Sequence, residues 1–231
     1  MYHDIIPPGK DKSWSGLNLK GANAYKISSE VFENQVAYAA EFRDKTGREI
    51  IFSFDDGGIS GIKTIAPILE RYQFKGIFFI PTAFIGLEGF LSGTDIKVLH
   101  ENGHIIGSHS HTHPTKMNRM SYEDIAKEWQ ISRSILNEIT SSLIDYASVP
   151  GGWYSRKVAE ACNGVGIKCL FSSEPTQKNY YVKRCLVSGR LAIRDDITPR
   201  QFENLLNERG LTREWLWLKW ALGRILKLAI R

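Results

Sequence analysis

A short apolar run at residues 50–54 leads directly into two adjacent acids, Asp55 and Asp56, and then into two glycines. A bounded run of this kind is typical of a buried strand. Because buried carboxylates are costly unless they are paired or bound to a metal, we expect both acids at the exposed carboxyl end of that strand. Successive residues of an extended chain point to opposite sides, and a glycine turn can re-aim them. One aspartate can therefore bind a metal while the other acts as a base.

A second polar segment follows another apparent strand, at residues 104–107, and contains His109, His111 and His113. If the chain turns helically there, His109 and His113 lie on one face at i, i+4 spacing, as two neutral imidazole ligands of one ion require. A carboxylate and two imidazoles leave one coordination position open, which distinguishes a catalytic zinc site from a structural one. Water at such a position can attack a carbonyl group. The two segments together indicate hydrolase chemistry.

Strand and helix patterns alternate along the chain. The predicted strands are residues 50–54, 76–80, 104–107, 147–149 and 168–171, and the predicted helices are residues 62–72, 94–102, 121–140, 155–163 and 199–207. Repeated strand and helix patterns with short links predict an α/β fold with a parallel sheet, and polar groups at strand ends suit the carboxyl face of a barrel. A length of 231 residues is within the range of one such domain.

Both polar segments resemble the first two motifs of the polysaccharide deacetylase family (carbohydrate esterase family 4, the NodB-homology domain), whose patterns are T/S-F-D-D-G and H-S/T-x-x-H-P. Further similar stretches are Tyr2-His3-Asp4 and residues 76–81, 103–109 and 149–155. The resemblance implies a single-domain, distorted (β/α) barrel of the NodB-homology type. It implies Asp55 as the general base. It also implies Asp56, His109 and His113 as the ligands of a divalent metal.

Two positions depart from the family pattern. Ser148 stands where the family commonly has an arginine that orients the base, and Arg194 stands close to the place of a late histidine that acts as general acid. Arginine cannot give up a proton at working pH. Either another group protonates the leaving amine, with His3 and His111 as candidates, or substrate handling is altered in this branch.

The predicted function is that of a metal-dependent hydrolase. It would remove an N-acetyl group from an acetamido sugar in a polysaccharide or in its lipid- or nucleotide-linked precursor, with zinc as the favoured metal. Asp55 would take a proton from the attacking water. A backbone N–H at Gly151 or Gly152 would hold the developing oxyanion, because small residues permit close approach. Tyr154, in the same stretch, is a candidate substrate contact.

Three alternatives stay open at this point. A set of two histidines and one carboxylate also suits a non-haem iron oxygenase, although Asp55 then has no role. Ser148 and Arg194 are compatible with a glycan-binding pseudoenzyme that keeps its metal and has lost turnover. The third alternative is a hydrolase of another non-peptide C–N bond, in a formamide or a cyclic ureide.

Composition bears on partners and on location. The net charge is +5, but lysine and arginine are scattered and no nucleic-acid fold signature is present, so we expect no nucleic-acid partner. Cys162, Cys169 and Cys185 are odd in number and lack CxxC spacing, which is typical of core residues in a reducing compartment. The first residues do not resemble a cleavable signal, because prolines interrupt a short apolar run. These features predict a cytoplasmic protein.

The last segment, residues 211–231, differs from the predicted barrel at residues 1–210. On a helix, one face would carry Leu211, Trp215, Leu218, Leu222, Ile225, Leu226 and Ala229, and another would carry Arg213, Arg224, Lys227 and Arg231. Such a helix is too charged to span a bilayer. It would either dock on the barrel or lie at the inner face of the membrane as a peripheral contact.

Overall fold

The computed structural model describes residues 1–176 and 178–229, and at residues 20 and 224–229 it describes the backbone alone. The strands are β1 Ile5–Ile6, β2 Ile27–Ser28, β3 Phe52–Phe54, β4 Gly76–Ile80, β5 Ile105–Ser108, β6 Tyr146–Ser148, β7 Cys169–Phe171, β8 Tyr180–Val182 and β9 Cys185–Ser188. The α-helices are α1 Lys20–Asn23, α2 Ser29–Thr46, α3 Ala66–Arg71, α4 Gly93–Glu101, α5 Tyr122–Thr140, α6 Arg156–Gly164, α7 Pro199–Leu206 and α8 Thr212–Ala229.

One sheet carries the site. Its order is β3-β4-β5-β6-β7-β9-β8, and every neighbouring pair is parallel except β8 with β9. The first two residues link β3 to the segment that follows β9: Tyr2 N donates to Ser53 O at 2.8 Å, and Ile193 N donates to Met1 O at 2.9 Å. The sheet is thereby curved into an irregular barrel, which confirms the predicted α/β fold class.

Most of the predicted elements are present within two residues of their predicted bounds. The strand predicted at 50–54 shortens to β3, because Ile51 is 68% exposed and lies outside the sheet. The predicted helix at 62–72 divides into a π-helical turn at Gly61–Ile65 and α3.

Helix α2 is absent from the predicted elements, although its signals are in the sequence. Ser28 caps the helix by accepting from Val31 N, and Gly47 ends it with a left-handed φ of 69°. Phe32, Val36 and Ala39, at helical spacing, form its buried face. Strands β1, β2, β8 and β9 and helix α1 are also absent from the prediction, and β1 and β2, with two residues each, are too short to give a pattern.

Aromatic side chains fill the layer between strands β3 and β4 and helix α2. Phe54 stacks on Phe78 at 5.1 Å and on Tyr2 at 5.7 Å, and Phe32 meets Phe54 edge to face at 5.8 Å. These rings are fully buried, as is usual for a parallel sheet covered on both faces. The strand that carries the two aspartates is therefore rigidly packed up to its last residue.

Helix α8 docks on the barrel by one side only. Leu216 is 6% exposed and belongs to the main hydrophobic core, and Trp215 packs against that core. The outer side exposes Leu211, Trp217, Leu218 and Leu222. None of the described helices combines the length and the apolar character that crossing a bilayer requires. The predicted face residues Arg224, Ile225, Leu226, Lys227, Ala229 and Arg231 have side chains outside the described residues. The domain boundary at residue 210 stays a prediction.

Candidate active site

The two polar segments meet at the carboxyl ends of neighbouring strands. Asp55 and Asp56 follow β3 and His109 follows β5, with β4 between them. Asp56 has a left-handed φ of 72°, and Gly57 follows with 64°. An aspartate with a left-handed backbone conformation is uncommon, and this conformation costs energy. Residues in such conformations concentrate at functional sites. This turn directs Asp55 and Asp56 to different partners.

Asp56, His109 and His113 form the candidate metal centre. One possible ligand atom from each lies within 4.8 Å of the others, and Asp56 Oδ1 is 3.3 Å from Nε2 of both histidines. Burial works against ionisation of Asp56, but His3 and then the two imidazoles hold the pKa of Asp56 well below its usual range. The carboxylate is therefore ionised at neutral pH.

The donor set fits a divalent cation. His109 Nδ1 lies 2.8 Å from the Ser148 carbonyl oxygen, which can only accept, so Nδ1 carries the proton. In the neutral ring this leaves the Nε2 lone pair facing Asp56 Oδ1, and two acceptors at 3.3 Å are stabilised by a cation between them. Carboxylate oxygen and imidazole nitrogen are ordinary zinc ligands.

The loop 109–113 is not helical, so the predicted helical presentation of the histidines is wrong. Ser110 and His113 both have left-handed φ angles, 65° and 55°. Two backbone N–H groups of the loop donate to Glu128 Oε2 on α5, at 2.9 and 2.8 Å, instead of forming helical hydrogen bonds. This carboxylate, together with Ser110 Oγ accepting from His113 N at 3.1 Å, brings His113 beside His109.

Asp55 is held by Arg190, a residue that no sequence pattern indicated. Arg190 donates to both carboxylate oxygens of Asp55 at 2.8 Å, and Ser148 Oγ donates to Oδ2 at 3.1 Å. Arg190 also donates to Ser148 Oγ at 2.6 Å, and its guanidinium carbon lies 5.2 Å from the ring centre of Phe79 and 5.7 Å from that of Phe171. The small Ser148 side chain leaves the space that the guanidinium fills.

The Arg190 ion pair governs the ionisation of Asp55. Burial alone would raise the pKa of Asp55, but the Arg190 guanidinium and the nearby His109 outweigh it and lower this pKa to about 2. A depressed carboxyl pKa stabilises the fold above the unfolded-state value of about 3.9, and this contribution is lost as pH falls towards the folded-state pKa.

We expect Arg190→Gln to make the reaction more sensitive to acid. Without the guanidinium, the desolvation that raises the pKa of Asp55 is no longer offset, so the base is protonated over more of the pH range. The ratio of variant to wild-type kcat/KM should fall as pH is lowered from about 9 to about 6. Arg133→Gln removes a guanidinium bound to two backbone carbonyls away from this site and is the matched control. A ratio that is flat with pH would contradict the role of Arg190.

His3 completes the polar cluster. Its Nδ1 lies 3.0 Å from Asp56 Oδ2, and its ring stacks on Tyr25 at 4.5 Å. Burial lowers the pKa of His3, but the Asp56 carboxylate outweighs this effect, so the pKa is raised. His111, the other candidate acid, has its Nδ1 2.9 Å from Thr82 Oγ1 and does not line the cavity formed by the described residues.

Gly151, Gly152 and Tyr154 line the same cavity as the polar cluster. Both glycines have left-handed φ angles, 56° and 69°, and a Cβ at Gly152 would lie 2.1 Å from Ser173 Oγ. Burial raises the pKa of Tyr154, so its hydroxyl stays protonated. A substrate bound in this cavity can therefore contact these residues as well as the aspartates.

A sequence model described as polysaccharide deacetylase matches residues 42–170, more than half of the chain. The peptidoglycan-N-acetylmuramic acid deacetylase PdaA of Bacillus subtilis (strain 168) is 26% identical over 172 residues, covering 72% of this chain and 62% of that protein. The poly-beta-1,6-N-acetyl-D-glucosamine N-deacetylase of Staphylococcus aureus (strain N315) is 23% identical over 198 residues, covering 71% of this chain and 68% of that protein. The chain spans 45 to 62% of the length of three of its curated relatives.

Solved structures share the fold. The Streptococcus pyogenes deacetylase PplD, in complex with acetate, superposes with a TM-score of 0.70 and 17% identity over 89% of this chain and 95% of that one. A polysaccharide deacetylase from Bacillus cereus gives a TM-score of 0.72 and 18% identity over 89% of this chain and 67% of that one.

Proposed function

The chain belongs to the polysaccharide deacetylase family, and from this premise we propose that it is a metal-dependent hydrolase of acetamido sugars. The substrate would be a polysaccharide or its lipid- or nucleotide-linked precursor. The observation that carries the proposal is the convergence of Asp56, His109 and His113 beside a separate, ionised Asp55 in one cavity. Because the relatives are longer than this chain, their substrates are attributed to those proteins alone.

The residues of the site have distinct tasks in this proposal. Asp56, His109 and His113 would hold the divalent metal, with zinc favoured by the ligand set. When bound, such an ion supplies Lewis-acid polarisation of the amide carbonyl and of the attacking water. Asp55 accepts the proton of that water, and Arg190 keeps its carboxylate ionised and oriented.

Backbone groups can hold the charge that develops on the carbonyl oxygen. Gly151 and Gly152 sit in a left-handed turn at the cavity wall, where the missing side chains permit close approach of the substrate. Tyr154 can donate a hydrogen bond from its protonated hydroxyl.

The proposal is tested by acetate release. Metal-loaded protein should release acetate from at least one member of a panel of N-acetylated oligosaccharides. It should release no formate from formamido sugars and should not open cyclic ureides. Formate release alone would favour the alternative C–N hydrolase. Full metal occupancy with glycan binding and no acetate release would favour a pseudoenzyme. Ser148 is a weak argument for that alternative, because Arg190 supplies the guanidinium that orients Asp55.

We expect His3→Ala to slow substrates with a poor amine leaving group by about 100-fold and an activated acetate ester much less. Only the amine must be protonated to leave, and His3 is next to the candidate metal ligand Asp56. Initial rates on an acetamido glycan and on nitrophenyl acetate measure the difference, with His100→Ala, a surface histidine beside Ser142, as control. Equal slowing of both substrates would assign His3 a binding or folding role.

We further propose that the protein is cytoplasmic and that α8 contacts the inner face of the membrane. Its exposed Trp217, Leu218 and Leu222 support membrane contact, and the three buried, unpaired cysteines support a reducing compartment. The basic residues that would strengthen such contact, Arg224, Lys227 and Arg231, have side chains outside the described part of the chain.

Changing Trp217, Leu218 and Leu222 together to serine should therefore reduce co-sedimentation with anionic vesicles at least 10-fold, since each buried leucine contributes about 1.5–3 kcal/mol. The serine variant of Leu87 and Leu143, which are equally exposed elsewhere, is the control. Binding of the wild type should weaken as salt rises. Wild-type protein that stays in the supernatant at low salt would contradict the membrane contact.

A further inference from the structure

One cavity of about 750 Å³ extends from the candidate metal ligands to helix α8. Pockets of about 300–1,000 Å³ enclose ligands larger than a single sugar ring. Besides the polar cluster, the lining includes five apolar side chains from residues 17–22 and from α8, called the apolar wall below, namely Leu17, Leu19, Ala22, Leu216 and Trp220. The substrate therefore has room for a second, apolar part beyond the acetamido sugar.

A cation, Arg194, connects the polar cluster to α8 through a chain of contacts. His3, beside Asp56, stacks on one ring, that of Tyr25, and the guanidinium carbon of Arg194 lies 5.3 Å from the centre of the same ring. Asp196 then connects Arg194, at 3.9 Å, to Lys219 Nζ on α8, at 2.6 Å. Arg194 is thereby linked through Tyr25 to the polar cluster and through Asp196 to α8, the helix that carries Leu216 and Trp220.

Arg194 has hydrogen-bonding capacity left over. Its Nε is buried and donates no hydrogen bond to any of the described residues, and Asp196 is the one described carboxylate within 4.0 Å. Because Asp196 is already bonded to Lys219, the three groups together carry one net positive charge at the cavity wall. A guanidinium with free donors is suited to bidentate binding of a phosphate.

Resting on the function proposed above, we propose that the substrate is an acetamido sugar linked through a phosphate to a lipid. The sugar occupies the end with the two aspartates, Arg194 binds the phosphate, and the first part of the lipid chain lies against Leu19 and Trp220. A plain polysaccharide would place polar sugar units against this apolar wall. A nucleotide-linked sugar would place a ribose there.

Binding can be measured without knowing the sugar. Isothermal titration with octyl phosphate should give an affinity at least 10-fold higher than with inorganic phosphate or uridine diphosphate. Arg194→Gln should weaken octyl phosphate binding at least 10-fold and Arg194→Lys by less, because lysine keeps the charge and loses the planar fork. Arg200→Gln, an exposed arginine on α7, is the matched control.

The apolar wall is tested in the same way. Leu19→Asn and Trp220→Ala should each weaken octyl phosphate binding several-fold and leave inorganic phosphate unaffected. Leu87→Asn changes a similarly exposed leucine outside the cavity and should have no effect. Thermal unfolding of every variant checks that the fold is retained. Octyl phosphate binding that is insensitive to Arg194→Gln would place the phosphate elsewhere and overturn the proposal.

Turnover supplies the second readout. Two substrates are compared: N-acetylglucosamine linked through a phosphate to farnesol, and the methyl glycoside of N-acetylglucosamine. The value of kcat/KM for the first should exceed that for the second at least 10-fold, and this ratio should fall towards one in Arg194→Gln. If Arg194 merely supported Tyr25, Arg194→Gln would lower both values of kcat/KM and leave their ratio unchanged. Acetate release from oligosaccharides with no preference for the farnesyl phosphate, or with a preference for uridine diphosphate N-acetylglucosamine, would contradict this inference alone. No acetate from any probe would contradict the proposed function.

Discussion

Asp55→Asn is expected to lower kcat by about 100-fold or more while the metal content stays unchanged. Asparagine keeps the shape of the side chain but cannot take a proton from water, and Asp55 is not among the three candidate ligands. Turnover on a soluble acetamido glycan and metal analysis of the same preparation measure the two effects. Activity within a few-fold of the wild type would place the base elsewhere.

The control for this variant must separate chemistry from folding. Asp55→Asn leaves the buried Arg190 without a carboxylate, and such unpaired buried charges cost about 3–5 kcal/mol. Adding Arg190→Gln removes that charge, so the double variant should regain thermal stability without regaining activity. Asp195→Asn makes the same chemical change in an exposed ion pair with Lys12 and should have normal turnover.

The second large effect is expected on metal content. Wild-type protein should hold close to one divalent ion per chain, and the double variant His109→Ala, His113→Ala should lose nearly all of it. Loss of one group that only hydrogen-bonds to a metal ligand already costs about 10–100-fold in metal affinity, so loss of two direct ligands should cost far more. Elemental analysis after dialysis measures the stoichiometry.

His111→Ala is the matched control for the metal variants. It lies in the same loop, but its ring is turned to Thr82 and away from the cavity. The control should keep the ion and most of the activity. Stoichiometric metal in the double alanine variant would refute the assignment of His109 and His113 as ligands.

The meeting of the two polar segments could be predicted because it depends on strand topology. Asp55 follows one buried strand and His109 another, and the carboxyl ends of parallel strands lie on one edge of a sheet. The shape of the loop 109–113 could not be predicted, because its left-handed Ser110 and His113 depend on the carboxylate of Glu128, fifteen or more residues along the chain.

Arg190 could not be predicted, for a related reason. It is 135 residues from Asp55 in sequence and belongs to no local pattern, so only the folded chain brings them together. Helix α2 is different, because its cap, its buried face and its terminal glycine are all local signals. The fold was thus predictable where the information is local, and the support of the base was not.

The contact between Ser148 and Arg190 changes how such sequences should be judged for activity. In the family pattern, the arginine that orients the base stands at the place of Ser148, and its absence suggests a protein that has lost turnover. Here a guanidinium reaches the same carboxylate from the end of β9, two strands along the sheet from Ser148. What the base needs is a guanidinium at one place in the barrel, whichever residue supplies it. A survey that scores position 148 alone would discard active members that supply this guanidinium from elsewhere in the chain.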